Sequence, residues 1–183
     1  MENRNFTPFP LLKTGRLTLR QLLGSDANQI LALRSDEDVN KYLDREPSKS
    51  IDDAINFIQA INGNIQRNES IYWAIALNGT DKLVGTICLF SFSGDNSKAE
   101  IGYELLPAFQ GKGIMQEAIS KVMDFGMQHI GLDTIEAYTH SENQRSARLL
   151  EKFNFKRHGD VEDNFIIFKL TTNEKINTND NGR

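Results

Sequence analysis

Residues 99–117 read AEIGYELLPAFQGKGIMQE, and this stretch decides the fold. Ala99–Leu106 is apolar enough for a sheet yet carries carboxylates at Glu100 and Glu104. Pro107 lacks the amide a strand ladder needs and ends the strand. Gln110-Gly111-Lys112-Gly113 makes a short turn, and an amphipathic run begins at Ile114. The first amides of a helix have no acceptor within it, and glycine lets an anion approach the backbone closely. A carboxylate-bearing strand that runs into such a turn points to chemistry on a phosphorylated cofactor. The turn alone is weakly diagnostic. A Walker loop would close on G-K-[ST] and a dinucleotide fingerprint would read G-x-G-x-x-G, and neither is present. An ordinary loop connection therefore stays open on this segment alone.

A second segment narrows the reading. His140-Ser141-Glu142-Asn143-Gln144-Arg145-Ser146 leads into Ala147-Arg148-Leu149-Leu150-Glu151-Lys152-Phe153-Asn154-Phe155. Together the two segments resemble the GNAT acetyltransferase superfamily. In that superfamily Q/R-x-x-G-x-G/A holds the pyrophosphate of acetyl-CoA, and an Asn-led helix flanks the pantetheine arm. Gln110 to Met115 follows the motif except at Met115, where Gly or Ala is usual. Thr14-Gly15-Arg16-Leu17-Thr18-Leu19-Arg20 is similar to the T-x-R-L-x-L-R opening strand of the branch that acetylates ribosomal-protein N-termini. The N-x-x-S spacing at Asn143 and Ser146, followed by L-E-K-x-x-F, is also typical of that branch. The resemblance runs from about Phe9 to Leu170.

The resemblance implies an α/β (α+β) GNAT fold with a mixed, mostly antiparallel central sheet that splays open after its fourth strand. Periodicity and punctuation give the order β-α-α-β-β-β-α-β-α-β-β. Arg16–Leu23 reads as the first strand, and a helix capped by Ser25 or by an Asp26–Gln29 capping box runs to about Leu43. Ser50 with Asp53 caps a second helix whose stripe is Ile51, Ala54, Ile55, Ile58 and Ile61. Strands follow at Ile71–Leu77, Leu83–Ser93 and Lys98–Leu106. A core helix spans Ile114–His129, then come a strand at Thr134–Thr139, a helix at Asn143–Phe153, and a hairpin of Phe155–Val161 with Phe165–Leu170. Residues 1–170 read as one domain, and the polar end Thr171–Arg183 as a mobile tail.

Composition sets outer limits. The 183 residues carry a net charge of −4 and no basic stripe, so direct nucleic-acid binding is not expected. An acidic balance suits a cationic amine substrate only weakly. Cys88 is the single cysteine, which excludes an intrachain disulfide, and three scattered histidines make no zinc site, so no metal is expected. No apolar run reaches the length of a bilayer span and no signal peptide is evident, which favours a cytoplasmic enzyme without a membrane partner. Monomer and homodimer are both compatible with the chain.

Acetyl transfer from a thioester to an amine needs a held cofactor, a base, a donor for the developing oxyanion, and help for the departing thiolate. Glu100 and Glu104 are the base candidates, and their even spacing puts both on one face unless a bulge intervenes. Glu100 aligns with the catalytic glutamate of histone-type relatives, while Glu104 lies nearer the expected acetyl group. By resemblance, a backbone amide in Glu104–Leu106 serves the oxyanion, and Leu105 and Leu106 pair with pantetheine as an added strand would. Gln110, Gly111, Lys112, Gly113, Ile114 and Met115 would hold the pyrophosphate. Asn143 would both cap its helix and touch the cofactor. Many relatives protonate the thiolate with a Tyr where this chain has Leu150; Ser146 is the branch's substitute. The acceptor is a primary amine, of a protein N-terminus or of a small metabolite such as a polyamine or amino sugar. A non-catalytic acetyl-CoA-binding module is the alternative of another class.

Overall fold

The computed structural model describes residues 4–159 and 164–172. The strands are β1 (Leu12–Lys13), β2 (Leu17–Arg20), β3 (Ile71–Leu77), β4 (Leu83–Phe90), β5 (Lys98–Leu105), β6 (Thr134–His140), β7 (Lys156–His158) and β8 (Phe165–Thr171). They form one sheet in the order β1-β2-β3-β4-β5-β6-β8-β7. Every neighbouring pair is antiparallel except β5 with β6. Parallel neighbours need a long crossover, and here the connection carries the helix Ile114–Phe125.

That parallel pair sets the architecture. It registers only Lys98 with Thr134, Ala99 with Ile135 and Glu100 with Glu136. Past this point β5 continues along β4 to Leu105, while β6 continues along β8 to His140. The sheet thus forks, as expected, after the carboxylate-bearing strand. A buried ion group closes the crotch: Glu136, 3% exposed, pairs with Lys98 of β5 at 3.2 Å and Lys169 of β8 at 2.8 Å. Burial alone would raise the Glu136 carboxyl, but hydrogen bonds from the two lysines outweigh it and hold the group below its ordinary value.

The helices are α1 (Ala27–Ser35), α2 (Glu37–Asn40), α3 (Ile51–Gln66), α4 (Ile114–Phe125) and α5 (Gln144–Lys152). One face of the sheet packs against α4 in the larger core, which includes Leu17, Leu19, Trp73, Ile87, Ile119 and Val122. On the opposite face α1 and α3 bury Leu22, Ile30, Ala54, Ile58 and Ala74. The single long helix expected to Leu43 is in fact divided. Asp36, extended at φ −69° and ψ 128°, ends α1, and its side chain accepts from Val39 N to start α2. The Asp26–Gln29 capping box is absent because Asp26 is needed elsewhere. Its carboxylate, 4% exposed, takes two 2.8 Å bonds from Arg20 and one from Leu23 N. A buried guanidinium requires such a partner.

The Ser50–Asp53 capping box forms as expected. The buried stripe of α3 is Ala54, Ile58 and Ile65, whereas Ile51 and Ile55 are exposed at 38% and 37%. They lie at the margin of an arc that begins at Ala54 and repeats every three to four residues. Helix α4 widens into one π turn over Gly126–Ile130, where Gly126 packs on Leu132 and Leu89. The opening strand shortens to β2 and gains the edge strand β1. Asn154 takes φ +64° after α5, the left-handed position that suits Gly or Asn. Thr171 pairs with Thr134, so the sheet extends one residue into the expected tail. Val161 and residues 173–183 lie outside the described residues. No helix among the described residues is long and apolar enough to cross a membrane.

Gly85 permits the close approach of β4 to the end of β5. A Cβ there would lie 2.4 Å from Glu104 O and 2.7 Å from Leu105 Cδ1. Gly85→Ala should destabilise the fold by about 1–3 kcal/mol, the usual range for overpacking. Urea denaturation checks this as a lower midpoint at unchanged slope. A midpoint equal to the parent's would show that β4 and β5 separate without cost.

Candidate active site

The turn after β5 leaves a row of backbone amides open. Pro107–Phe109 forms one 3₁₀ turn, and Gly111 and Gly113 adopt φ +73° and +75°. Those left-handed values are what glycine supplies. Gly113 is the N-cap of α4 and offers no side-chain cap, so the helix dipole and its first amides stay open. The amides of Gly111, Lys112, Gly113, Ile114 and Met115 have no backbone acceptor among the described residues. A Cβ on Gly111 would meet nothing within 4 Å, so the cradle is roomy. These groups fit the pyrophosphate of acetyl-CoA. Met115, the departure from the usual motif, is 8% exposed with its side chain in the larger core, and only its amide is available to a ligand.

Other residues brace this loop. Arg16 donates to Lys112 O at 2.9 Å and pairs with Glu117 of α4 at 2.7 Å. Gln110 donates through Nε2 to Leu105 O at 2.9 Å, and its own carbonyl accepts from Arg145. Lys112 extends over the Phe109 ring, 5.7 Å from its centre.

The open edge of β5 follows from strand alternation. Leu106 N donates to Val84 O at 3.0 Å, so residues of the same parity, including Glu104, direct their polar backbone groups to β4. Tyr103 and Leu105 therefore present theirs to the fork. Of the three amides considered for the oxyanion, Leu105 N–H is the one that faces the cleft, and Leu106 N–H is already engaged.

Glu100 and Glu104 share a face, because the β4–β5 register runs without a shift from Phe90–Glu100 to Gly85–Leu105. Their environments differ. Arg45 grips Glu104 with both ends of its guanidinium, with Nη2 to Oε2 at 2.9 Å. Arg45 Nε also donates to Asn40 Oδ1 at 2.7 Å, and Asn40 Nδ2 donates to Asp36 O at 2.7 Å and Arg34 O at 2.9 Å. This network ties the α1–α2 turn to β5. Arg34 stands nearby, its guanidinium 4.0 Å above the Phe57 ring. Burial first, then the neighbouring Arg45, lowers its pKa. Burial, with Glu104 adding to it, pushes Tyr72 up and the Cys88 thiol to about 12, which disfavours the thiolate. Glu100 lies at the crotch of the fork. Burial raises its carboxyl, the Ser91 hydrogen bond opposes this, and Glu136 adds to it.

Across the fork, Asn143 Oδ1 caps α5 by accepting from Ser146 N at 3.1 Å. The Ser146 hydroxyl lies 2.9 Å from the Tyr103 phenol. Leu150 is fully buried. His140 stacks on Tyr42 at 5.5 Å and meets the edge of Phe165. The Arg45–Glu104 and Tyr103–Ser146 contacts have no local mark in the sequence. Arg45 lies in the irregular stretch after α2, where no periodicity marks it. Tyr103 had a signal, since alternation along β5 places it on the face opposite the two glutamates.

Residues 16–156 match the description "Acetyltransferase (GNAT) domain". The chain belongs to the GNAT acetyltransferase family. It is 38% identical over 151 residues to YoaA, an uncharacterized N-acetyltransferase of Bacillus subtilis (strain 168), covering 82% of this chain and 85% of that protein. It is 25% identical to a spermidine N(1)-acetyltransferase of Vibrio cholerae, over 83% of this chain and 86% of that one. Among solved structures, the ribosomal L7/L12 alpha-N-protein acetyltransferase RimL in complex with coenzyme A shares the fold. Its TM-score is 0.78 at 19% identity, covering 88% of this chain and 98% of RimL. GNAT enzymes use acetyl-CoA, and this chain is accordingly an acyltransferase.

Saturating acetyl-CoA should raise the melting temperature, since a ligand at a hundred times its Kd stabilises by about 2.7 kcal/mol. Gly113→Glu places a carboxylate in the cradle and should abolish the shift. Its melting temperature without ligand reports the separate strain of a side chain at positive φ. An unchanged wild-type melting temperature would refute the cradle.

Proposed function

We propose that this GNAT enzyme acetylates the N-terminal α-amine of a protein, of the ribosomal-protein type, by direct attack within a ternary complex. The observation that carries this reading is the charge of the acceptor face. Glu104 is held by Arg45, and Arg34 adds a second guanidinium beside it. A polycation such as spermidine calls for several open carboxylates, and on this face Glu104 is neutralised by Arg45 and flanked by Arg34, which leaves Glu100 alone for the acceptor amine. An α-amine, with a pKa of about 7.7–8.0, needs only a weak base near neutral pH.

Acetyl-CoA supplies the acyl group and a thiol leaving group. The cradle amides of Gly111 to Met115, with Gln110 and Lys112, bind its pyrophosphate. The open edge of β5 aligns the pantetheine arm, and Asn143 flanks it. Leu105 N–H stabilises charge developing on the acyl oxygen. Glu100 takes the amine proton, through water where contact is not direct. Glu104, fixed by Arg45, orients the acceptor. Ser146 assists the departing sulfur. A ribosomal-protein acceptor would place the enzyme in the cytoplasm.

Thiol release with acetyl-CoA tests the acceptor class. Peptides with a free N-terminal Ala or Ser should turn over, while N-blocked lysine peptides and spermidine should react far more slowly. Faster turnover of spermidine would overturn the reading. Glu100→Gln should lower kcat/KM more at pH 6.5 than at pH 9, because at high pH the amine loses its proton unaided. Glu104→Gln should instead raise the acceptor KM at both pH values, by leaving Arg45 unpaired. A pH-independent loss in Glu100→Gln would assign that residue a structural part.

A further inference from the structure

We propose that Tyr103 is a positioning residue for the chemical step: its phenol donates to Ser146 Oγ and thereby turns the serine O–H toward the departing sulfur. This rests on the reading of Ser146 as the group that assists the thiolate.

The geometry comes from both wings of the fork. Tyr103 lies on β5, on the face opposite Glu100 and Glu104, and its ring packs against the larger core. Ser146 lies in the first turn of α5, which follows β6 on the other wing. Their oxygens are 2.9 Å apart, so this bond spans the cleft past the end of the β5–β6 pairing. The Ser146 backbone is already fixed by its amide bond to Asn143 Oδ1. What remains undetermined is the hydroxyl rotor.

A serine hydroxyl has one proton. If Ser146 gave it to Tyr103, none would be left for sulfur. If Tyr103 donates, the serine proton is free, and accepting a hydrogen bond at Oγ polarises the O–H further. The 2.9 Å contact accommodates either donor, and only the phenol as donor leaves the serine proton for sulfur. Burial pushes the Tyr103 phenol to about 12, so the ring keeps the proton that this arrangement needs. Leu150, one turn further along α5, is buried and has no acidic proton to give.

The step balances without deprotonating Tyr103. The amine lone pair forms the new C–N bond, and the C–S bond breaks with its electron pair moving to sulfur. The amine proton leaves through the base, and Ser146 gives its proton to sulfur and is reprotonated from water. The net result is one proton moved from amine to thiol.

A double-mutant cycle of Tyr103→Phe and Ser146→Ala tests this. Phenylalanine keeps the ring and removes only the hydroxyl, and thermal melts verify the folding of each variant. Tyr103→Phe should lower kcat by about three- to tenfold, the size of one neutral hydrogen bond, with the acetyl-CoA KM unchanged. In the Ser146→Ala background the same change should have no further effect on kcat. A second readout uses the oxygen-ester analogue of acetyl-CoA, whose alkoxide leaves far less readily than a thiolate. The loss in Tyr103→Phe should be larger with the oxygen ester than with the thioester, which a merely structural role would not produce. If Ser146→Ala slows turnover but Tyr103→Phe does not, or if the two losses multiply independently, the positioning role is wrong and the serine reading survives. If Ser146→Ala itself turns over like the parent, the serine reading fails and this proposal with it.

Discussion

The end of β5–β6 pairing at Glu100 and Glu136 is the constraint on which the rest of the molecule depends. A parallel pair that continued would satisfy the backbone of Ile101–Leu105 internally and leave no edge for a ligand. Because pairing stops, that edge faces a cleft and requires other partners. The crotch is held at the same level by one buried carboxylate between two lysines, one from β5 and one from β8. Removing either lysine would weaken the compensation of a charge that burial alone disfavours, so the fork has a definite vertex.

Alternation along β5 then divides the chemistry. Glu100 and Glu104 face the α1–α3 side, where Arg34, Arg45 and Tyr72 gather. Tyr103 faces the α4–α5 side, where Ser146 waits. The unpaired edge of β5 lies between them. One strand thus separates the two glutamates from the Tyr103–Ser146 pair by its pleat alone. The Gln110–Gly113 turn begins five residues past β5 and runs directly into α4, so its open amides and the strand edge are joined by a short covalent connection.

Much of this was legible in the chain. Gly111 and Gly113 marked the turn because glycine serves positive φ, and both adopt it. Ser50 and Asp53 marked a helix start because each supplies what the other's amide lacks, and the box forms. Where a local signal failed, a competing contact had overruled it. Asp26 has the spacing of a cap, yet Arg20 required its carboxylate. Asp36 breaks an apparently continuous helix because its side chain caps the next one.

The sequence by itself determined the GNAT family, the order of the main elements, and the glycine turn from Gln110 to Gly113 that opens α4, because these rest on residues close together in the chain and on periodic burial. Only the tertiary structure decided the state of each site residue. Arg45 reaches Glu104 across 59 positions and Tyr103 reaches Ser146 across 43. Contacts at such separations leave no local pattern, since they depend on how the two wings of the sheet are set apart and on which face each side chain emerges.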